Sequence, residues 1–132
     1  MKPLPGARAP LPDRLLLAAA VLLNAFLLGV GIYFQLHPRD RRDVWSAGGV
    51  AAVAILNTAA LVVGWRDPSR RVAARLRRIA LLANSVLAAT GVVFAVVEAL
   101  RELGHGAIHG VSLVAPPLVT MLALRRGRDR SL

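Results

Sequence analysis

Residues 15–36 read LLLAAAVLLNAFLLGVGIYFQL and contain no charged side chain. The hydrocarbon core of a bilayer is about 30 Å thick, and about 20 apolar residues span it as an α-helix. The stretch therefore predicts a transmembrane helix. A cleaved signal peptide is the alternative interpretation, but its apolar core holds only about 7–15 residues and ends at a small-x-small cleavage site. Residues 37–40 (HPRD) form a polar turn without such a site, which favours a retained helix.

Three more apolar runs follow the first, and nearly all of the charge lies between them. The predicted helices cover approximately residues 15–36, 44–65, 79–100 and 106–124. The fourth is the least regular, because it contains His109 and the pair Pro116–Pro117; membrane helices tolerate proline where neighbouring groups satisfy the freed carbonyls. We expect an all-α integral membrane protein with a four-transmembrane-helix bundle over residues 15–124, between an N-terminal tail (1–14) and a basic C-terminal tail (125–132).

The 17 Lys and Arg residues are distributed unevenly about these runs. The N-terminal tail, the loop 66–78 and the C-terminal tail hold all but four of them, which are Arg39, Arg41, Arg42 and Arg101. Short loops rich in basic residues stay in the cytoplasm, so both termini are predicted to be cytoplasmic. Trp45 and Trp65 mark the two interfaces of the second run.

The amino-acid bias indicates the source of the chain. Lysine occurs once and arginine abounds beside Ala, Leu and Val, a bias typical of GC-rich bacterial genomes; this predicts a bacterial inner-membrane protein.

The composition restricts the class of protein. The hydrophobic fraction is 56% and the mean hydropathy is +0.57, whereas soluble domains have roughly 45–50% apolar residues. The net charge of +10 would also suit nucleic-acid binding, but the arginines flank apolar runs and base-stacking aromatics are missing, so no nucleic-acid partner is expected. The sequence has no cysteine and no P-loop, G-x-S-x-G or H-E-x-x-H motif, so we expect neither an enzyme nor a cofactor.

Two of the runs resemble each other. Residues 23–34 read LNAFLLGVGIYF and residues 83–94 read ANSVLAATGVVF. A shift of 60 superposes Asn24 on Asn84, Leu27 on Leu87, Gly31 on Gly91 and Phe34 on Phe94. A shift of 59 superposes Trp65–Arg66 on Leu124–Arg125 and places Asn57 opposite Pro116. The matches predict a tandem 2+2 duplication of a helical hairpin about a pseudo-two-fold axis along the membrane normal. Chance similarity between apolar helices is the alternative.

Polar and helix-breaking residues fall in the middle of the predicted spans. The set comprises Asn24, Asn57, Asn84, Ser112, Pro116 and Pro117. Asn24 and Asn57 both lie roughly 12–14 Å from the cytoplasmic edge at 1.5 Å per residue. Broken backbone beside amides is how transporters build midplane sites. It is also how ordinary bundles bond across a kink, so both interpretations stay open.

A second group combines carboxylates and imidazoles: Glu98, Glu102, His105 and His109. Their spacings of four, three and four place them on one face of a continuous helix. Such a set suits Zn²⁺ or a proton relay. Gly104 and Gly106 argue against a continuous helix, and the simpler interpretation is polar residues that solvate the membrane interface.

A third group is the basic loop before the third span, with Arg66, Arg70, Arg71, Arg75, Arg77 and Arg78. We expect these residues to contact anionic lipid headgroups. From Arg70 onward the chain is predicted to start a basic helix that leads into the third span.

Small residues recur at four-residue spacing on every predicted helix. The pairs are Ala25/Gly29, Gly48/Ala52, Ala60/Gly64, Gly91/Ala95 and Gly106/Gly110. Such stripes allow close helix packing, either within the bundle or against a homodimer or another membrane protein.

The sequence thus predicts a small non-catalytic inner-membrane protein that acts through helix–helix contacts, as a homo-oligomer or an accessory subunit. The alternative is a small transporter or channel for a neutral or weakly charged solute. The helix centres carry no Asp, Glu, Lys or Arg, which disfavours proton-coupled transport.

Overall fold

The structure, a computed structural model, describes residues 10–67, 71–101 and 106–129. These residues form four helices, which are α1 (Leu11–Leu36), α2 (Arg41–Arg66), α3 (Arg71–Leu100) and α4 (Gly106–Asp129). Within this part of the chain, three helical segments are long and apolar enough to cross a membrane: Leu11–Leu36, Val44–Arg66 and Arg71–Val97. The prediction of an all-helical chain with four helices is therefore confirmed.

The helices at the arginine-rich end extend beyond the apolar runs. α1 starts at Leu11 with Pro12 in its first turn, where the missing N–H of proline costs nothing because helix-start N–H groups lack an intrahelical partner. α3 starts at Arg71, well before the apolar run that begins at Ile79, and α4 continues to Asp129. The basic helix predicted from Arg70 onward is thus present and starts at Arg71, whereas residues 11–14 and 125–129, predicted as parts of the two tails, are helical.

The opposite end of the first hairpin is closed by a short connection. Asp40 caps α2 by accepting a hydrogen bond from the Arg41 backbone N–H. The Gln35 amide donates to the carbonyl of Val44 at 2.6 Å, which ties the end of α1 to the start of α2. The short link between the two helices makes them antiparallel neighbours.

The four helices form two hairpins, α1–α2 and α3–α4, and each hairpin has its most extensive contacts between its own two helices. α2 also contacts α3, and α1 contacts α4. α2 and α4 touch across one diagonal of the bundle, whereas α1 and α3 do not touch in the described residues. The α2–α4 contact is thus the centre of the structure.

The bundle has small residues inside and large apolar residues outside. Among the described residues, alanine dominates the buried apolar set, which also includes Leu27, Leu61 and Leu124. Large side chains such as Leu22 and Leu82 are each 70% exposed. A soluble bundle would bury such residues, because each gains about 1.5–3 kcal/mol by leaving water. Close-packed small residues beneath an apolar exterior are typical of membrane helices.

The structure separates the inward and outward stripes of small residues. Gly31 and Gly91 are buried, and a Cβ at either position would lie 2.9 Å from atoms of the neighbouring helix. Ala25 and Gly29 are instead exposed, and a Cβ at Gly29 would meet nothing within 4 Å. The predicted Ala25/Gly29 stripe therefore faces away from its own bundle.

Candidate functional site

Three asparagines from three helices converge in the interior of the bundle. Asn24 of α1, Asn57 of α2 and Asn84 of α3 are fully buried, as is Thr120 of α4. The sequence predicted the three amides as a mid-bundle polar set, and the structure brings them into direct contact. Thr120 was missed, because threonine is ordinary in an apolar helix and nothing in the sequence pairs it with Asn24.

Asn57 is the centre of this amide network (Asn24, Asn57, Asn84 and Thr120). Its Nδ2 donates to Oδ1 of Asn24 at 2.8 Å and to Oδ1 of Asn84 at 3.0 Å. Asn84 returns a hydrogen bond from its Nδ2 to Oδ1 of Asn57 at 2.6 Å. The Asn57–Asn84 pair is therefore reciprocal, and it joins the first hairpin to the second.

Backbone carbonyls hold the outer two amides in place. Asn24 Nδ2 donates to the carbonyl of Ala20 at 2.7 Å and to Oγ1 of Thr120 at 2.8 Å. Asn84 Nδ2 donates to the carbonyl of Ala80 at 2.6 Å. A flipped amide would place its oxygen against a carbonyl oxygen, so these contacts fix which end of each amide is the donor.

The network has no spare donor among its amides. Each of the three Nδ2 groups makes two hydrogen bonds, and each amide oxygen accepts at least one. An amide does not titrate, so the network's three asparagines do not change charge with pH. A solute could bind its donors only by breaking bonds that join the helices, which makes the group better suited to fixing helix positions than to binding.

Pro116 and Pro117 do not interrupt α4, which is helical from Gly106 to Asp129. Both are buried, and Pro117 lies one turn before Thr120 on the side of α4 that faces the bundle. Ser112, which the sequence grouped with them, has a side chain outside the described residues. The proline pair therefore forms part of the wall beside the network.

The burial patterns of the two hairpins match at several positions. An offset of 60 residues relates the buried residues Ala20, Asn24 and Gly31 of α1 to Ala80, Asn84 and Gly91 of α3. An offset of 63 relates the buried residues Asn57, Ala60 and Leu61 of α2 to Thr120, Ala123 and Leu124 of α4. Thr120, rather than Pro116, thus occupies the position that corresponds to Asn57. The predicted offset of 59 for the second helices does not fit this burial pattern.

The carboxylate–imidazole group lies outside the described side chains. Glu102 and His105 fall in a segment that the structure does not describe, and the side chains of Glu98 and His109 are likewise outside the description. Their proposed role in metal binding or proton transfer stays a prediction.

The arginines of the third group gather at one end of the bundle. Arg66 ends α2, and Arg71, Arg75, Arg77 and Arg78 occupy the first turns of α3. All of these are exposed except Arg77, which is half-buried. Arg70 lies outside the described residues.

One ion pair crosses the same end of the bundle. Arg126 of α4 donates from its guanidinium to Oδ1 of Asp13 in α1 at 3.0 Å. The Asp13 side chain is 11% exposed, whereas that of Arg126 is 53% exposed. An ion pair with a half-exposed cation contributes little stability, but the contact places the start of α1 beside the end of α4. No local pattern could predict it, because its partners are distant in the sequence.

Comparison of the chain with protein-family models, with curated proteins and with solved structures found no match.

Proposed function

We propose that this chain is a non-catalytic integral membrane protein that acts through helix–helix contacts, as a homo-oligomer or as an accessory subunit. The arrangement of its side chains supports this function. The described polar groups of the bundle interior bond to one another between helices, while large apolar side chains cover the exterior. The apolar outer surface is thus available to contact lipid and other membrane proteins, whereas the interior polar groups join the helices of the bundle.

The saturated amide network favours this proposal over a small transporter or channel. Transporters build midplane sites from unwound backbone and from polar groups that are free to bind a solute. Here α4 stays helical through its prolines, and every amide donor of the network already has a partner. The network therefore supports assembly of the bundle.

We further propose that the chain lies in a bacterial inner membrane and that both of its termini are in the cytoplasm. We expect the chain to remain in the membrane pellet after alkaline carbonate extraction, because its helices present apolar surface all round. A reporter enzyme that folds only in the cytoplasm should be active when fused to the C-terminus, since the arginine-rich end follows the positive-inside bias. Release by carbonate, or activity of only a periplasmic reporter at that position, would contradict the proposal.

A tandem duplication also belongs to the proposal. Offsets of 60 and 63 residues match the buried faces of the two hairpins, and Gly31 and Gly91 make corresponding close contacts. A repeated hairpin explains why the network residues occur in matching pairs, Asn24 with Asn84 and Asn57 with Thr120. The parallel arrangement would place a pseudo-two-fold axis near the α2–α4 contact.

The homo-oligomer is tested by single cysteines, because the natural chain has none. Gly29→Cys lies on the exposed Ala25/Gly29 stripe, where close approach of a second copy would be easiest. We expect oxidation in native membranes to link Gly29→Cys into dimers. The matched control, Val93→Cys, lies 62% exposed on α3 and should stay monomeric. Monomer alone from both variants would count against a dimer across this stripe and would favour the accessory subunit.

A further inference from the structure

Four helix–helix seams run around the bundle: α1–α2, α2–α3, α3–α4 and α1–α4. Consecutive helices share the first three seams, so a chain connection joins each of those pairs at one end. A short connection keeps two helices at a high effective concentration of one another. α1 and α4 are not consecutive, so their seam lacks this constraint and is the one at which the bundle opens most readily.

Polar contacts cross the α1–α4 seam at two levels. In the interior, Asn24 Nδ2 donates to Thr120 Oγ1 at 2.8 Å. At the arginine-rich end, the Arg126 guanidinium donates to Asp13 Oδ1 at 3.0 Å. Asp13 lies in the first turn of α1 and Arg126 lies near the end of α4, where the helix dipoles favour an acid and a base, respectively. The ion pair thus joins the two helix ends that the chain leaves apart.

The matching burial patterns indicate that packing alone does not require these charges. The offsets of 60 and 63 residues relate the α1–α4 seam to the α2–α3 seam, and they relate Asp13 to Ala73 and Arg126 to Val63. Ala73 is buried and Val63 is half-buried, so both counterparts are apolar. At this end of the bundle, residues 67–70 connect α2 to α3. The ion pair therefore occurs in the seam that has no connection, and apolar residues replace it in the seam that has one.

The two partners of the ion pair differ in their access to water. The Asp13 side chain is 11% exposed, whereas that of Arg126 is 53% exposed. A carboxylate withdrawn from water depends on its hydrogen-bond donors. If Arg126 no longer donates, Asp13 gains hydration when the start of α1 moves away from α4. Such a pair adds little against global unfolding, but the local opening of helix ends costs free energies down to about zero. One contact is therefore enough to change how often the seam opens.

We propose that the Asp13–Arg126 pair is a clasp that keeps the α1–α4 seam shut, and that the bundle opens at this seam from its arginine-rich end. Opening separates α1 from α4, while residues 67–70 keep α2 beside α3. It uncovers Ala20 of α1 and Ala123 of α4, which both belong to the buried apolar core. The inference needs the four-helix bundle alone and does not depend on the oligomer or the accessory role proposed above.

The experiment measures the separation of α1 and α4 in the full chain, reconstituted in lipid nanodiscs. The natural chain has no cysteine, so spin labels can be attached to Leu15→Cys and Leu122→Cys, whose native side chains are 61% and 50% exposed. Pulsed electron paramagnetic resonance should give mainly a short distance between these labels. Arg126→Gln should raise the population with a longer distance at least about threefold, as expected from the loss of one partly exposed ion pair. Arg126→Lys keeps the cation and should keep the short distance.

Arg125→Gln is the matched control, since it removes the same charge from the neighbouring exposed residue of α4. It should leave the distances unchanged. A second pair of labels, at Val62→Cys and Val72→Cys, reports on the α2–α3 seam and should give the same distance in every variant. Equal opening by Arg125→Gln and Arg126→Gln would overturn the clasp in favour of a general charge effect. Equal separation of both label pairs would overturn it in favour of a bundle that loosens as a whole.

Asp13→Asn tests the clasp from its other side. It should also open the α1–α4 seam, and the addition of Arg126→Gln should open the seam no further, because the arginine acts through Asp13. Additive opening by the two changes, or an unchanged distance in a folded Arg126→Gln protein, would overturn the proposal. If Arg126→Gln loses its helical circular dichroism, the comparison of Arg126→Lys with Asp13→Asn decides instead, and equal distances in those two variants would overturn the clasp.

Discussion

Asn57→Ala should lower the free energy of unfolding by about 2–4 kcal/mol, because it removes the residue at the centre of the amide network. Three hydrogen bonds are lost at once, two donated by Asn57 and one accepted by it. The amide oxygens of Asn24 and Asn84 then remain buried without these partners. Leaving buried polar groups unsatisfied costs more than the net gain of forming the bonds.

The matched control for Asn57→Ala is Thr58→Ala, one residue further along α2. The Thr58 hydroxyl donates only to the carbonyl of Ala54 in its own helix, at 2.9 Å. Its removal should change stability by less than about 0.5 kcal/mol, since the carbonyl keeps its helical bond. Equilibrium unfolding in mixed micelles with increasing dodecyl sulfate measures both variants. Equal losses for the two would show that the network does not hold the helices together.

The double variant Asn24→Leu, Asn84→Leu separates the proposed function from the transporter alternative. It replaces the amides of α1 and α3 with leucine at fully buried positions. The larger, apolar side chains should force the helices apart. A network that serves assembly predicts a loosened bundle. Retained stability with loss of a solute flux would instead support transport.

The helices were predictable because each apolar run is about as long as a membrane-spanning helix. The basic start of α3 was predictable as well, since arginine is a good helix former, whereas the outer ends of α1 and α4, which reach Leu11 and Asp129, had been assigned to the tails. The position of Asn24, Asn57 and Asn84 near the middle of their spans followed from counting residues. Their mutual hydrogen bonds, and the part played by Thr120, depend on how the helices are rotated, which apolar sequence specifies weakly.

Gly29 and Gly31 show the same limit. Both are small and both suit close helix contact, but two residues along an α-helix turn the side chain by about 200°. The four-residue spacing of Ala25 and Gly29 favoured the outward pair, whereas it is Gly31 that faces the neighbouring helix, where an added Cβ would lie 2.9 Å from the Ala51 Cβ. The sequence match between Gly31 and Gly91 was the better guide, since both glycines are buried against a neighbouring helix.

Gly31→Ala should destabilise the bundle by about 1–3 kcal/mol, although alanine favours the helix itself by about 1 kcal/mol. A Cβ at this position would lie 2.9 Å from the Ala51 Cβ, 3.0 Å from the Ala47 carbonyl oxygen and 3.1 Å from the Ala51 nitrogen. Two of these atoms belong to the α2 backbone, so no rotamer change relieves the clash. The helices of the first hairpin must separate, which weakens packing along their shared length.

Gly91→Ala should have a smaller effect of the same sign. Its Cβ would approach the Leu113 Cβ and the Val114 Cγ2 at 2.9 Å and the Leu113 backbone carbon at 3.3 Å. The valine methyl can move, and the backbone contact is longer than those at Gly31. Gly29→Ala is the control, since it adds the same methyl group without a contact. It should leave monomer unfolding unchanged or raise stability by up to about 1 kcal/mol. The same unfolding measurement ranks the three variants, and a Gly31→Ala protein as stable as Gly29→Ala would show that the first hairpin is not closed by contact at Gly31.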